Sequence, residues 1–106
     1  MRLYARRTSS NSQKVLWYLG ELGLDYEFIA TGGDAGGLRT AEYVAINPNA
    51  AVPTLVDGDL SVWESHAILR YLAAVYRPEE FWLDDPALRS QIDRWMDWSQ
   101  SQFDAS

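Results

Sequence analysis

Apolar residues at the start of the chain change from strand spacing to helical spacing and back again. A short apolar run at 3–5 is followed by a polar cluster at 8–12, after which apolar residues recur with helical periodicity from Val15 to Leu22. The alternating aromatic and branched residues at 26–30 predict a second strand, which a helical crossover makes parallel to the first. The pattern therefore predicts a βαβ unit.

Polar residues and glycines predict where the first helix begins and ends. Ser10 followed by Gln13 fits a capping box, with Ser10 as the N-cap. Gly20 and Gly23 weaken and then end the helix, because glycine readily adopts the left-handed conformation of a C-cap. Four of the seven glycines lie at 31–37, which predicts a loop.

The next part of the pattern adds a helix, a hairpin and another helix. Residues 40–46 predict a short helix, which the Asn-Pro-Asn sequence after it ends. The β-rich runs at 52–56 and 60–63 flank Asp57-Gly58-Asp59, a turn sequence typical of an antiparallel hairpin. Apolar residues then recur at helical spacing over 64–76. The predicted order is β-α-β-α-β-β-α.

A last helix is predicted after an acidic connector at 77–85. Asp85 fits an N-cap and Pro86 the first helical position. One face of this helix carries large apolar side chains, namely Leu88, Ile92, Trp95, Met96 and Phe103. Each such side chain left in water forgoes roughly 1.5–3 kcal/mol of burial energy. Because no later element covers this stripe, we expect a dimer or a larger assembly.

Composition narrows the class of protein. The 106 residues suit one small domain, and 47% apolar residues exclude an intrinsically disordered chain. No apolar run is long enough for a membrane span or a secretory signal, which favours the cytoplasm. The absence of cysteine excludes disulfides and thiolate chemistry on the chain, and a sole histidine disfavours a metal site.

Charge is uneven along the chain. The net charge of −6 disfavours nucleic acid as a partner. Yet four of the nine cations, Arg2, Arg6, Arg7 and Lys14, lie in the first fourteen residues, which contain no acidic residue. This end of the chain is therefore suited to attract a small anion.

Three motifs occur in order along the sequence. They are the strand and polar turn at 3–16, the block at 47–55 that runs from Asn-Pro-Asn to Val-Pro-Thr-Leu, and the sequence Glu-Ser-His-Ala-Ile-Leu-Arg-Tyr-Leu at 64–72. Together they resemble the N-terminal domain of cytosolic glutathione transferases of the serine type. The resemblance implies an α/β fold with a thioredoxin-like glutathione-binding domain at 1–76 and a linker at 77–85. Residues 86–106 resemble the first helix of that family's all-helical second domain, the rest of which the sequence does not contain.

The resemblance implies a catalytic hydroxyl at Ser9, with Ser10 and Asn11 as alternatives in the same turn. A hydroxyl at a helix N-terminus favours a thiolate through a charge-assisted hydrogen bond and the positive end of the helix dipole. From the residues alone, Ser9 or Ser10 also fits a simple N-cap.

The other two motifs imply the rest of a glutathione site. Members of the family carry a cis-proline at the position of Pro53, which would turn the Val52 backbone toward the cysteinyl part of the ligand. From the residues alone, a trans proline at the start of an edge strand is the expectation. Glu64 and Ser65 would receive the ammonium and carboxylate groups of the γ-glutamyl end, although Ser65 also fits a helix cap. His66 is assigned no role.

Two positions depart from the family pattern. Ala51 stands where many members have Lys or Gln against the glycyl carboxylate, and Arg39 is the candidate for a second cationic position. Loss of one charge-assisted contact costs roughly 1.5–3 kcal/mol, a ten- to hundredfold weakening of binding. We therefore expect weakened glutathione binding.

The function that the resemblance implies is glutathione transfer to an electrophilic, largely apolar small molecule, as in detoxification. Glutathione is then the cosubstrate, without a metal, in a homodimer that engages neither nucleic acid nor membrane. We expect low activity from these 106 residues alone, because most of the electrophile site would lie in the missing helices. The alternative is a non-catalytic protein-interaction module of the same fold. A disulfide reductase that works through its own thiols is disfavoured, whereas one that exchanges a glutathionyl group remains open.

Overall fold

A computed structural model describes residues 1–80 and 85–103 of the chain. A four-stranded sheet lies at its centre, with strands in the order β2-β1-β3-β4. The strands are β1 (Arg2–Ala5), β2 (Glu27–Ala30), β3 (Thr54–Asp57) and β4 (Leu60–Trp63). The β1–β2 pair is parallel and the other two pairs are antiparallel, as the sequence pattern predicts.

The structure also describes four helices. They are α1 (Ser10–Leu22), α2 (Ala41–Ile46), α3 (Ser65–Tyr76) and α4 (Pro86–Phe103), with short 3-10 turns at Gly33–Ala35 and Pro78–Glu80. The predicted order β-α-β-α-β-β-α followed by one helix is confirmed, and the fold is the thioredoxin-like α/β fold. No helix within residues 1–80 and 85–103 is long and apolar enough to cross a membrane.

The core lies between one face of the sheet and the helices α1 and α3. It consists of fully buried apolar side chains, namely Leu3, Ala5, Val15, Leu19, Leu55, Ile68 and Leu72. Because side chains alternate along a strand, Tyr4 points to the other face. There its ring meets that of Tyr43 edge to face at 5.5 Å, so α2 covers the opposite face.

The capping box predicted at Ser10 is wrong, because the helix begins one residue earlier. Ser9 is the N-cap of α1, and its Oγ accepts from the backbone N–H of Ser12 at 3.3 Å. The Gln13 side chain donates instead to the carbonyl of Arg7 at 2.8 Å, so it does not reach back to the cap. Ser10 is exposed in the first turn.

The helix α4 begins as predicted. The Asp85 Oδ1 atom accepts from the backbone N–H groups of Ala87 and Leu88 at 3.1 and 3.2 Å. An ion pair between Arg70 and Asp93 at 2.9 Å holds α4 against α3.

Part of the predicted apolar stripe is open to water. Leu88 and Trp95 are exposed, whereas Ile92 and Met96 are half-buried. The side chain of Phe103 lies outside the described residues, as do residues 81–84 of the predicted connector and residues 104–106 of the predicted last helix.

Candidate functional site

The N-termini of α1 and α3 meet at a contact between two buried polar side chains. The Ser65 Oγ atom donates to Asn11 Oδ1 at 3.3 Å, although the two residues are 54 positions apart. Ser65 is the first residue of α3 and Glu64 occupies the N-cap position. The Ser65 hydroxyl therefore forms a hydrogen bond to α1. It does not cap its own helix, α3.

A cation completes this contact. The Lys14 Nζ atom lies 3.2 Å from Asn11 Oδ1 and 3.2 Å from His66 Nε2. Because an ammonium group only donates, His66 Nε2 is the acceptor in a hydrogen bond with Lys14. The family motifs assign no role to His66, and the sequence pattern shows Lys14 only as a positive charge near the N-terminus. The spacing of Asn11 and Lys14, one helical turn apart, is the signal that could have joined them.

The three candidates for the thiolate-binding group differ in exposure. Ser9 is 1% exposed and Asn11 7%, whereas Ser10 faces solvent. The Ser9 oxygen accepts the capping hydrogen bond from the Ser12 N–H group. Its hydroxyl proton can therefore be donated to another acceptor. At 1% exposure, the Ser9 side chain is shielded from solvent.

A cleft of about 280 Å³ lies beside the N-terminus of α3. Its lining consists of Asn47, Asn49, Ala51, Val52, Pro53, Trp63 and Glu64. The Val52–Pro53 peptide bond is cis, as the family resemblance implies. Glu64 has a φ of 75°, a conformation that side chains other than glycine rarely adopt. Glu64, which lines this cleft, directly precedes Ser65, whose hydroxyl contacts Asn11.

Arg39 is not brought to this cleft. It is exposed and precedes Thr40, the N-cap of α2, and it is not among the residues that line the cleft. Ala51 is exposed at the cleft and carries no charge. Glu64 is therefore the one ionisable side chain among the described lining residues.

A set of buried polar residues adjoins the cleft, and the sequence pattern does not reveal it. The pattern places Asn47 in the segment that ends a helix, Tyr43 in that helix and Thr54 in a strand. The structure joins all three to the backbone carbonyl of Ala51, directly or through one another. Burial raises the pKa of the Tyr43 phenol above its ordinary value, so this group stays protonated at neutral pH.

Comparison with known proteins identifies the family. The family model "Glutathione S-transferase, N-terminal domain" matches residues 1–74. The chain belongs to this family.

Two relatives show how far the similarity extends. The chain is 48% identical over 99 residues to the glutathione S-transferase GstB of Escherichia coli K12. The aligned region covers 92% of this chain and 48% of that protein. It is 42% identical over 101 residues to the transcriptional regulator URE2 of Saccharomyces cerevisiae, over 89% of this chain and 28% of that protein. The chain thus spans about half the length of GstB.

Solved structures agree with this assignment. A theta-class glutathione S-transferase from Xanthomonas axonopodis pv. citri, with glutathione bound, superposes with a TM-score of 0.87 at 51% identity. The match covers 96% of this chain and 49% of that one. Ure2p in complex with glutathione superposes with a TM-score of 0.81 at 40% identity, over 95% of this chain and 44% of that one.

Proposed function

We propose that the chain binds glutathione and activates its thiol for attack on an electrophilic small molecule, as a glutathione transferase does. The observation that carries this proposal is the contact between Asn11 and Ser65. It joins the motif at the start of α1 to the motif at the start of α3, directly beside the cleft that holds the cis Val52–Pro53 bond.

Each part of glutathione has a proposed partner. The γ-glutamyl group binds at Glu64 and Ser65, and the cysteinyl backbone pairs with the backbone of Val52, which Pro53 turns toward it. The thiolate accepts from Ser9, with Ser10 and Asn11 as the alternatives. Arg39 is exposed outside the cleft lining, so we expect the glycyl carboxylate to lack a cation.

The proposed chemistry is a shift in the acidity of the thiol. A free cysteine thiol has a pKa of about 8.5 and is mostly protonated at neutral pH. Donors at the N-terminus of α1 and the dipole of that helix favour the thiolate. Lys14, which lies against Asn11, adds a positive charge to the same end of the site. A shift of two pKa units corresponds to about 2.7 kcal/mol.

An apolar groove beside Lys14 supports an electrophilic, largely apolar substrate. The groove has a volume of about 610 Å³ and lies between α1, α3 and α4. Its lining consists of Lys14, Trp17, Tyr18, Glu21, Leu69, Ala73 and Met96. Aromatic and aliphatic walls of this kind favour apolar ligands.

Calorimetry with glutathione tests the binding step. We expect saturable binding, weaker in the Glu64→Gln and Ser65→Ala variants. Glu79→Gln, which neutralises an exposed carboxylate outside the cleft lining, is the matched control and should bind like wild type. Absence of binding by the wild-type chain would refute the proposal.

The similarity to a transcriptional regulator favours one second candidate, a non-catalytic module for protein association. The solved complex of Ure2p with glutathione supports the view that binding alone does not separate the two functions. Activation of the thiol does separate them. A bound thiol whose pKa equals that of free glutathione would favour the module.

We further propose a homodimer in the cytoplasm, with a role in detoxification and no partnership with nucleic acid or membrane. The exposed side chains of Leu88, Trp95 and Trp98 on α4 support self-association, because large apolar groups in water favour an interface. Sedimentation at micromolar concentration should give a dimer, and a strict monomer would contradict it.

A further inference from the structure

A set of buried polar side chains adjoins the cis-proline cleft, with Asn47 in the cleft lining and Tyr43 and Thr54 outside it. Tyr43 in α2, Asn47 at its C-cap and Thr54 at the start of β3 are 4%, 2% and 0% exposed. Burying a polar group costs free energy unless it finds a hydrogen-bond partner. All three side chains meet that requirement within one set of contacts, which we call the Tyr43 ring.

The direction of every bond in the Tyr43 ring follows from the chemistry of its members. The Ala51 carbonyl only accepts, so the Tyr43 hydroxyl donates to it. The single proton of Tyr43 is then used, so Thr54 Oγ1 donates to the Tyr43 oxygen at 2.7 Å. The Asn47 amide has two protons, which go to Ala51 O and Thr54 Oγ1, each at 3.0 Å. The ring therefore closes on itself, with each proton assigned.

The orientation of the Asn47 amide is fixed from its other side. Its Oδ1 accepts from the backbone and side-chain nitrogens of Asn49 at 2.9 and 3.2 Å. Because both Asn49 groups donate, the amide nitrogen of Asn47 must face the ring. The Ala51 carbonyl thus receives two donors from side chains that have no alternative arrangement.

We infer that Tyr43, Asn47 and Thr54 are positioning residues, which hold the Ala51 carbonyl and thereby set the Val52 backbone against glutathione. The inference rests on the proposed function, in which Val52 binds the cysteinyl part of the ligand. Ala51 and Val52 line the cleft, and the ring holds Ala51 from the protein side. Hydrogen bonds weaken steeply as their angle departs from linear, so a displaced Val52 binds less well.

Two substitutions at Thr54 separate positioning from stability. Thr54→Val keeps the shape of the side chain and removes the hydroxyl, whereas Thr54→Ser keeps the hydroxyl and loses a buried methyl group. We expect Thr54→Val to weaken glutathione binding roughly tenfold, the equivalent of about 1.4 kcal/mol. Thr54→Ser should bind as wild type does, although its thermal unfolding midpoint is lowered.

Tyr43→Phe removes a second member of the ring, and Tyr71→Phe is its matched control. The Tyr71 hydroxyl donates to Asp57 Oδ2 at 2.7 Å and does not line the cleft, so its loss costs stability alone. We expect Tyr43→Phe to weaken binding to a similar extent as Thr54→Val, with the pKa of the bound thiol unchanged. Tyr71→Phe should leave the dissociation constant at its wild-type value.

Calorimetric titration of all five proteins with glutathione, alongside thermal unfolding of each, decides the matter. Weaker binding by Thr54→Val and Tyr43→Phe, with wild-type binding by Thr54→Ser and Tyr71→Phe, is the expected result. Wild-type binding by Thr54→Val, or binding lost equally in Thr54→Ser, would overturn the inference alone. A wild-type chain that does not bind glutathione would overturn the proposed function and the inference with it.

Discussion

The two walls of the candidate site are built in opposite ways. The α1–α3 wall consists of side chains, because Lys14 and Ser65 both contact Asn11, and Ser65 does so from the other helix. The cis-Pro wall includes Ala51 and Val52, and buried side chains from Tyr43 and Asn47 hydrogen-bond to the Ala51 carbonyl. The first wall joins residues 54 positions apart, whereas the second is closed within residues 43–54.

This difference predicts different responses to substitution. In the α1–α3 wall, a lost side chain also removes a contact between two helices, so stability and binding should change together. In the cis-Pro wall, exposed positions such as Ala51 should change binding with little effect on stability. Substitutions at Asn11, Ala51, Glu64 and Ala50 test this contrast.

Asn11→Ala should have the largest effect on stability. It removes the acceptor shared by Ser65 Oγ and Lys14 Nζ and leaves a buried hydroxyl without that bond. An unsatisfied buried group costs about 1–3 kcal/mol, so we expect the free energy of unfolding to fall by roughly that amount. Urea denaturation followed by tryptophan fluorescence measures it. Asn11→Asp keeps a side-chain oxygen that can accept from both partners and is the control, and equal midpoints for Asn11→Ala and wild type would contradict the contrast.

Ala51→Lys should strengthen glutathione binding without a large change in stability. The position is exposed at a cleft whose described lining holds no cation. A new charge-assisted contact to the glycyl carboxylate should lower the dissociation constant about tenfold, or about 1.4 kcal/mol. Ala45→Lys adds the same charge at an exposed position of α2 outside the cleft lining. Equal gains from both variants in calorimetry would show an effect of net charge alone.

Glu64→Gln should weaken binding several-fold while leaving the free energy of unfolding within about 0.5 kcal/mol of wild type, because its side chain is exposed. The bound thiol should keep its pKa, since Glu64 is proposed to meet the γ-glutamyl ammonium group and not the sulfur. A changed thiol pKa in this variant would contradict the proposal that Glu64 binds the γ-glutamyl end of glutathione, away from the sulfur.

Ala50→Gly should have the smallest effect, a stabilisation of up to about 1 kcal/mol. Ala50 has a φ of 52°, in the left-handed region that glycine adopts without cost. Thermal unfolding measures the change. A lower midpoint would mean that the entropy of the unfolded chain outweighs the relieved backbone strain.

The order of helices and strands, and most of the candidate site residues, could be predicted from the sequence. Element order follows from hydrophobic periodicity, which the core positions Leu3, Val15 and Ile68 obey. The candidates Ser9, Ser10, Asn11, Val52, Pro53, Glu64 and Ser65 come from motifs of the family. Their roles stay predictions.

Long-range polar contacts could not be predicted in this way. Periodicity does not report which buried polar groups face each other, so the partners of Lys14 and His66 were missed. From the sequence, Tyr43 is predicted only as part of a helix, Asn47 as part of the segment that ends it, and Thr54 as part of a strand. The cap was misplaced by one residue because Ser9 and Ser10 both fit the N-cap pattern, and only backbone geometry distinguishes them.

The most direct test is the pKa of the glutathione thiol bound to wild type, Ser9→Ala and Ser10→Ala. Ultraviolet absorbance of the thiolate across a pH titration measures it. We predict a pKa below that of free glutathione in wild type and in Ser10→Ala. In Ser9→Ala the pKa should rise toward the free value, with a loss of about 1 kcal/mol of stability because Ser9 also caps α1. Equal thiolate absorbance in wild type and Ser9→Ala at every pH would contradict the assignment of Ser9 as the group that stabilises the thiolate.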